Sequence, residues 1–189
     1  MNIMYNFIIN IFNINSFLGI IINCILIVLE SIIPPLPLGL FITILCINYG
    51  YVIGFIISWV FTIIGCIISY YLFKNLPKNI NKKLINNKYS KKLLFIIDNL
   101  SFPNLVLLIS LPITPAFLIN IVAGVSNMKV SKFLYSIMFG KISLIVFWGY
   151  VGTSLIESLK NPLLLINVGI IMVIMFVISK ILNKKLKLD

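Results

Sequence analysis

The sequence predicts an all-α polytopic membrane protein: an inverted repeat with two Pro-broken re-entrant hairpins and about four transmembrane helices. Three observations predict it. Of 189 residues, 61% are hydrophobic and 10% charged, with a mean hydropathy of +1.15, more apolar surface than a soluble domain can bury. Several windows of about 18 or more apolar residues match a hydrocarbon core roughly 30 Å thick. The lysines gather in clusters beside those windows, as they do in cytoplasmic loops.

All 189 residues form one membrane domain. Residues 1–29 read as an N-terminal interfacial or transmembrane helix, apolar over 7–29, with Asn10, Asn13 and Asn15 suiting its first half to the interface. No Lys or Arg precedes this run and no small-x-small site follows it, so no cleavable signal is expected. Residues 30–48, beginning "ESIIPPLP", form a first hairpin broken by Pro34, Pro35 and Pro37. Residues 51–73 are a transmembrane helix, with Tyr49 and Tyr51 at one end and Tyr70, Tyr71 and Phe73 at the other as interfacial aromatics.

A basic loop and amphipathic helix occupy 74–103, where Tyr89, Leu93, Ile96, Ile97 and Leu100 share a face suited to the interface. A second hairpin at 104–125 is broken by Pro112 and Pro115, and transmembrane helices follow at 133–155 and 162–182.

The lysines decide between crossing and turning back. If 104–125 crossed, the seven Lys of 74–92 would lie opposite Lys129, Lys132 and the four Lys of 180–187. If it returns to its own face, all of these become cytoplasmic and only Lys160 lies outside. The positive-inside bias selects the second arrangement, with both termini in the cytoplasm. The first hairpin then dips from the opposite face.

At an offset of 78 residues, Pro34 matches Pro112 and Pro37 matches Pro115; Phe55, Ser58 and Phe61 match Phe133, Ser136 and Phe139. Each half is a broken hairpin followed by a long helix, one half inverted. Such repeats place polar sites near the membrane midplane. Proline leaves backbone carbonyls unpaired, and these must be satisfied by protein or by water in a cavity. Glu30 beside them would cost about 3 kcal/mol in lipid unless hydrated or paired.

Glu30 is therefore a candidate protonatable gate or headgroup contact, against a solvated interfacial carboxylate. Lys141 either faces the cavity, attracting phosphate or pairing with Glu30, or snorkels to the headgroups. Ser31, Ser110, Thr114 and Asn120 are candidate cavity-lining groups, against local bonding within their own helices.

"ESIIPPLPLG" with its following helix, "LPITPAFLINIVAGVSNMKVSKF" and "GK" together resemble the DedA / SNARE-associated (VTT-domain) superfamily of membrane proteins, in its compact bacterial branch, over roughly residues 20–155. The resemblance implies paired re-entrant hairpins and movement of lipid between leaflets, of phospholipid or polyprenyl-phosphate type. It implies site roles for Glu30, Pro34, Pro35, Pro37, Pro112, Pro115 and the closing Gly124. Many members carry an Arg before the second pair of prolines; here that neighbourhood holds Ser110. Lys141 is the residue that would stand in for it.

The function expected is scramblase- or flippase-like lipid translocation through a hydrated groove in the plasma membrane. The expected partners are anionic lipid headgroups at the basic loop, and protons. An ion- or proton-coupled transporter of a small solute and a non-transporting scaffold stay open as other readings.

An enzyme is not expected, since the chain lacks Ser-His and Cys-His pairs, a P-loop, a Rossmann glycine pattern and a carboxylate dyad. No cofactor and no metal are expected, because there is no His and Cys24, Cys46 and Cys66 lack ligand spacing. Nucleic acid is not expected as a partner, because the net charge of +11 sits beside membrane segments.

Overall fold

The computed structural model describes residues 17–33, 36–77, 94, 97, 100–112, 116–126, 128–159 and 161–186, and every regular element among them is a helix. These are α1 (Phe17–Glu30), α2 (Leu38–Tyr49), α3 (Tyr51–Lys74), α4 (Phe102–Ser110), α5 (Ala116–Val125), α6 (Val130–Glu157) and α7 (Leu163–Leu186). Among the described residues, three helices are long and apolar enough to cross a membrane: α3, α6 and residues 163–181 of α7. The first half of the crossing expected at 7–29 lies outside the described residues. Its described part, α1, has 14 residues, about 21 Å at 1.5 Å per residue. It runs inward from the Tyr49–Tyr51 end to Gly65, so it is the first arm of the first hairpin and not the second half of a crossing that ends at Glu30.

The hairpin boundary read from the sequence shifts. Helix α1 continues to Glu30, because its run has no breaker before Pro34 and helix propagation adds one hydrogen bond per residue fixed. The first hairpin is therefore α1 and α2 around a break at 31–37, and 30–48 holds only its second arm. In the second hairpin the break falls between Ser110 and Ala116.

Helices α3 and α6 cross the centre of the fold antiparallel. The Tyr51 hydroxyl donates to Val146 O at 2.9 Å, and the Trp59 indole donates to Met138 O at 2.9 Å. Nearer the other end, the Tyr70 ring stacks on Phe133 with centroids 5.2 Å apart. Each long helix is the reference for one arm of each hairpin.

Helix α4 runs with α6. The Lys132 ammonium donates to Leu100 O just before α4, Phe102 meets Phe139, and Val106 and Ile109 meet Gly140. Helix α5 runs with α3, since Asn120 lies near Cys66 and Gly124 packs on Tyr70 and Phe73. The chain therefore reverses between α4 and α5, and the second hairpin enters and leaves at one end of the α3–α6 pair.

The first hairpin does the same at the other end. Cys24 neighbours Tyr49, whereas Val28 and Ser31 pack on Gly65, so α1 rises along α3. Helix α2 returns against both α3 and α6. The reversal into α3 takes the single residue Gly50, whose φ of 80° is open to glycine and strained for other residues.

The repeat has a finer register than the sequence comparison found. Val28 and Ser31 pack on Gly65 as Val106 and Ile109 pack on Gly140. The hairpins thus correspond at an offset of 78, but the long helices at 75. The Phe and Ser matches at 78 within the long helices were coincidences of a Phe- and Ser-rich apolar run. Gly65–Cys66 is the counterpart of Gly140–Lys141.

Apolar packing follows the same division. One buried cluster joins Tyr70, Leu105, Leu108, Ile119, Val122 and Phe133 around the second hairpin. The other joins Ile27, Phe41, Ile42, Leu45, Leu144 and Ile145 around the first. Ile97 and Leu100, read as part of an interfacial face, are buried in the former; Tyr89, Leu93 and Ile96 lie outside the described residues. Helix α7 packs on α6 and leaves large apolar residues from Leu163 to Ile181 exposed, as suits contact with lipid.

Candidate functional site

Five polar side chains from four helices and a turn meet in the middle of the fold. Glu30 closes α1, Ser31 opens the turn after it, Cys66 follows Gly65 on α3, Asn120 lies on α5 and Lys141 follows Gly140 on α6. The two glycines bring the hairpin arms this close. A Cβ on Gly65 would stand 2.7 Å from Ser31 Oγ, and one on Gly140 would stand 2.7 Å from Ile109 Cβ. Small residues are what allow helices in lipid to pack backbone to backbone.

All five are withdrawn from the surface: Glu30 is 9% exposed, Asn120 2%, Lys141 1%, and Ser31 and Cys66 fully buried. Cys66 lies 15 residues into α3, and Lys141 11 residues into α6, depths of about 22 and 16 Å along their axes. Lys141 is therefore inside the protein near mid-membrane, and its stem does not snorkel to the headgroups.

Hydrogen bonds tie the hairpins together here. The Asn120 amide donates to Ser31 O at 3.0 Å, joining α5 to the tip of the first hairpin. Ser31 Oγ and Cys66 Sγ are 3.8 Å apart. Replacing Asn120 by Leu would orphan the Ser31 carbonyl, with an expected loss of about 1–3 kcal/mol. A lower thermal midpoint of the detergent-solubilised variant would register it.

The charged members are not closed off in the same way. Glu30 and Lys141 are near enough to interact electrostatically, and Cys66 feels both. Yet Lys141 Nζ and Glu30 Oε2 are buried without a hydrogen-bond partner among the described residues. A buried charge lacking full hydrogen bonding is costly, and natural membrane proteins keep such groups for function.

A polar face extends from this centre along α3. Ser58, Thr62, Cys66 and Ser69 recur at helical spacing and all are fully buried. Thr62 bonds back to Ser58 O, whereas Ser58 Oγ and Ser69 Oγ have no partner among the described residues. Asn23 lies two turns before Glu30 on the same side of α1, buried and with both side-chain polar atoms unpartnered.

The remaining candidates fall elsewhere. Ser110 donates to Leu107 O in its own helix, the local bonding weighed against a cavity role. Gly124 is a packing point, since a Cβ there would lie 2.6 Å from Tyr70 O. Pro37 caps the start of α2 and is exposed, and Pro112 lies half-buried in the second break. Pro34, Pro35, Thr114 and Pro115 lie outside the described residues.

Cys66 and Asn23 were not read as site residues. Their signals were present: Cys66 follows its glycine as Lys141 does, and Asn23 precedes Glu30 by seven residues, two helical turns. Among the described residues no group of His, Cys, Asp or Glu is placed to hold a metal ion.

The VTT domain family matches residues 35–154, a range that runs from the end of the first hairpin break through α2, α3 and the second hairpin to the last turn of α6. The chain is also 24% identical over 163 residues to "Uncharacterized membrane protein YhjE" of Bacillus subtilis (strain 168), covering 86% of this chain and 79% of that protein. No solved structure matches the chain. With opposed broken hairpins, a polar centre between them and a family match across most of that architecture, the chain belongs to the VTT-domain, or DedA, family of membrane proteins.

Proposed function

We propose that this protein moves lipid between the leaflets of the plasma membrane, with the Glu30–Lys141 centre as the station that a headgroup passes. One observation carries the reading: Lys141 Nζ is buried 11 residues into α6 with no hydrogen-bond partner among the described residues. An ammonium held in this way is a ready contact for a phosphate oxygen, while acyl tails stay in the bilayer. The hydroxyls of Ser58, Thr62 and Ser69 on one face of α3 offer polar contacts above and below it. The positive-inside rule puts the end bearing Lys74, Lys129 and Lys132 in the cytoplasm, where these lysines would gather anionic headgroups.

Proteoliposomes with a fluorescent phospholipid in one leaflet test this. The wild-type chain should equilibrate the label, and Glu30→Gln should slow it by about tenfold if the carboxylate offsets the Lys141 charge between passages. Exchange equal to that of protein-free vesicles would sink the proposal.

The buried carboxylate also favours a second reading, proton-coupled transport of a small solute, with Glu30 as the coupling group. A proton flux that depends on an added solute and on Glu30, without lipid exchange, would select it. Neither flux nor exchange would leave the scaffold.

A further inference from the structure

Away from the Lys141 centre, the C-terminal turns of α2 and α6 meet the start of α3 around a cavity of about 340 Å³. It is lined by Cys46, Ile47, Tyr51, Thr153, Ile156 and Glu157. Glu157 ends α6, 16 residues beyond Lys141, about 24 Å along the axis. The cavity sits at the mouth of the first hairpin, at the opposite end of α3 and α6 from Lys74, Lys129 and Lys132.

Counting donors identifies what would fit. The Tyr51 hydroxyl spends its hydrogen on Val146 O at 2.9 Å, and Thr153 Oγ1 spends its own on Gly149 O at 2.7 Å. Both oxygens keep lone pairs, and ionised Glu157 is acceptor-only. Among the described lining residues the Cys46 thiol is the one remaining side-chain donor, and a weak one. Two helix C-termini, of α2 and α6, bring partial negative charge to the cavity against the single N-terminus of α3. The Tyr51 ring, fixed by its hydroxyl bond, offers an aromatic face.

A ligand here must supply hydrogens and positive charge to a rim of acceptors. We propose that this cavity binds a primary ammonium group, with Glu157 as its counter-ion, Thr153 and Tyr51 oxygens as acceptors, and the apolar wall of Ile47 and Ile156 against the attached carbons. A quaternary ammonium would keep the charge and the ring contact but bring no N–H. Aminolipid headgroups and small free amines share the required chemistry. The site stands whether or not lipid crosses at Lys141.

The test uses the full chain in phosphatidylglycerol nanodiscs, titrated calorimetrically with ethanolamine, with a short-chain phosphatidylethanolamine and with choline. Saturable binding of ethanolamine assigns the site to free amines; binding of the aminolipid alone assigns it to headgroups. Either supports the proposal, provided that choline binds about tenfold more weakly and Glu157→Gln weakens binding about tenfold. Glu157 is exposed at a helix end, so that variant should fold as the wild type. Binding of neither amine, equal binding of choline, or binding indifferent to Glu157→Gln would overturn it. Lys141→Met separates the two sites: unchanged amine binding supports a distinct cavity, and joint loss of amine binding and exchange overturns it.

Discussion

Replacing Lys141 by Met is expected to slow leaflet exchange at least about tenfold, the loss of one charge-assisted phosphate contact. Its effect on stability has a different cause from that of a packing defect. Lys141 Nζ has no hydrogen bond to lose among the described residues, but Glu30, which interacts with it, would remain buried without that cation. The single variant should therefore be destabilised. The Glu30→Gln/Lys141→Met double variant, which removes both charges, should regain about 1–4 kcal/mol without recovering exchange. Thermal melts of the solubilised variants beside the vesicle assay read both quantities. Exchange at the wild-type rate in Lys141→Met would remove this residue from the pathway.

Gly140→Val is expected to cost about 1–3 kcal/mol or more by overpacking. Its Cβ would lie 2.7 Å from both Ile109 Cβ and Cγ2 and 3.0 Å from Val106 O. The last of these is backbone, which cannot rotate away. The end of α4 must shift, carrying the tip of the second hairpin with it. Gly65→Val should do comparable harm to the first hairpin, where Val28 Cα and Val28 O both stand 3.0 Å from the added carbon. Gly169 on α7 is the control, since a Cβ there meets nothing within 4 Å. Gly169→Ala should leave the thermal midpoint unchanged or raise it, by the ordinary helical preference for Ala.

The hairpins were legible because their signals are local. Pro34, Pro37, Pro112 and Pro115 mark the breaks, and lysine placement distinguishes turning back from crossing. Glu30 and Lys141 were legible because charge is rare in an apolar chain. The register of the long helices was not, because apolar matches carry no weight in such a chain and the equal distance from each proline pair to the following span pointed to 78 throughout. Cys66 looked like apolar filler for the same reason. Only the packing of Val28 on Gly65 and Val106 on Gly140 reveals that Cys66 and Lys141 are counterparts. Asn23 was hidden by the abundance of Asn, which makes one more seem unremarkable until its burial is seen.

The hairpin residues of that polar centre have no polar counterparts across the repeat. At the hairpin offset of 78, Glu30, Ser31 and Asn120 correspond to Leu108, Ile109 and Ile42, all buried and apolar. The repeat thus builds a symmetric frame around a single polar station, and the frame depends on both hairpins reversing within the bilayer.

Single-cysteine labelling with a membrane-impermeant maleimide tests that reversal most directly. Ser101→Cys and Lys129→Cys flank the second hairpin and Asn48→Cys closes the first; all three positions are exposed, while native Cys24, Cys46 and Cys66 are buried. The account predicts that positions 101 and 129 react from one face of the membrane and position 48 from the other. Labelling of 101 and 129 from opposite faces would make residues 104–125 an ordinary crossing and contradict it.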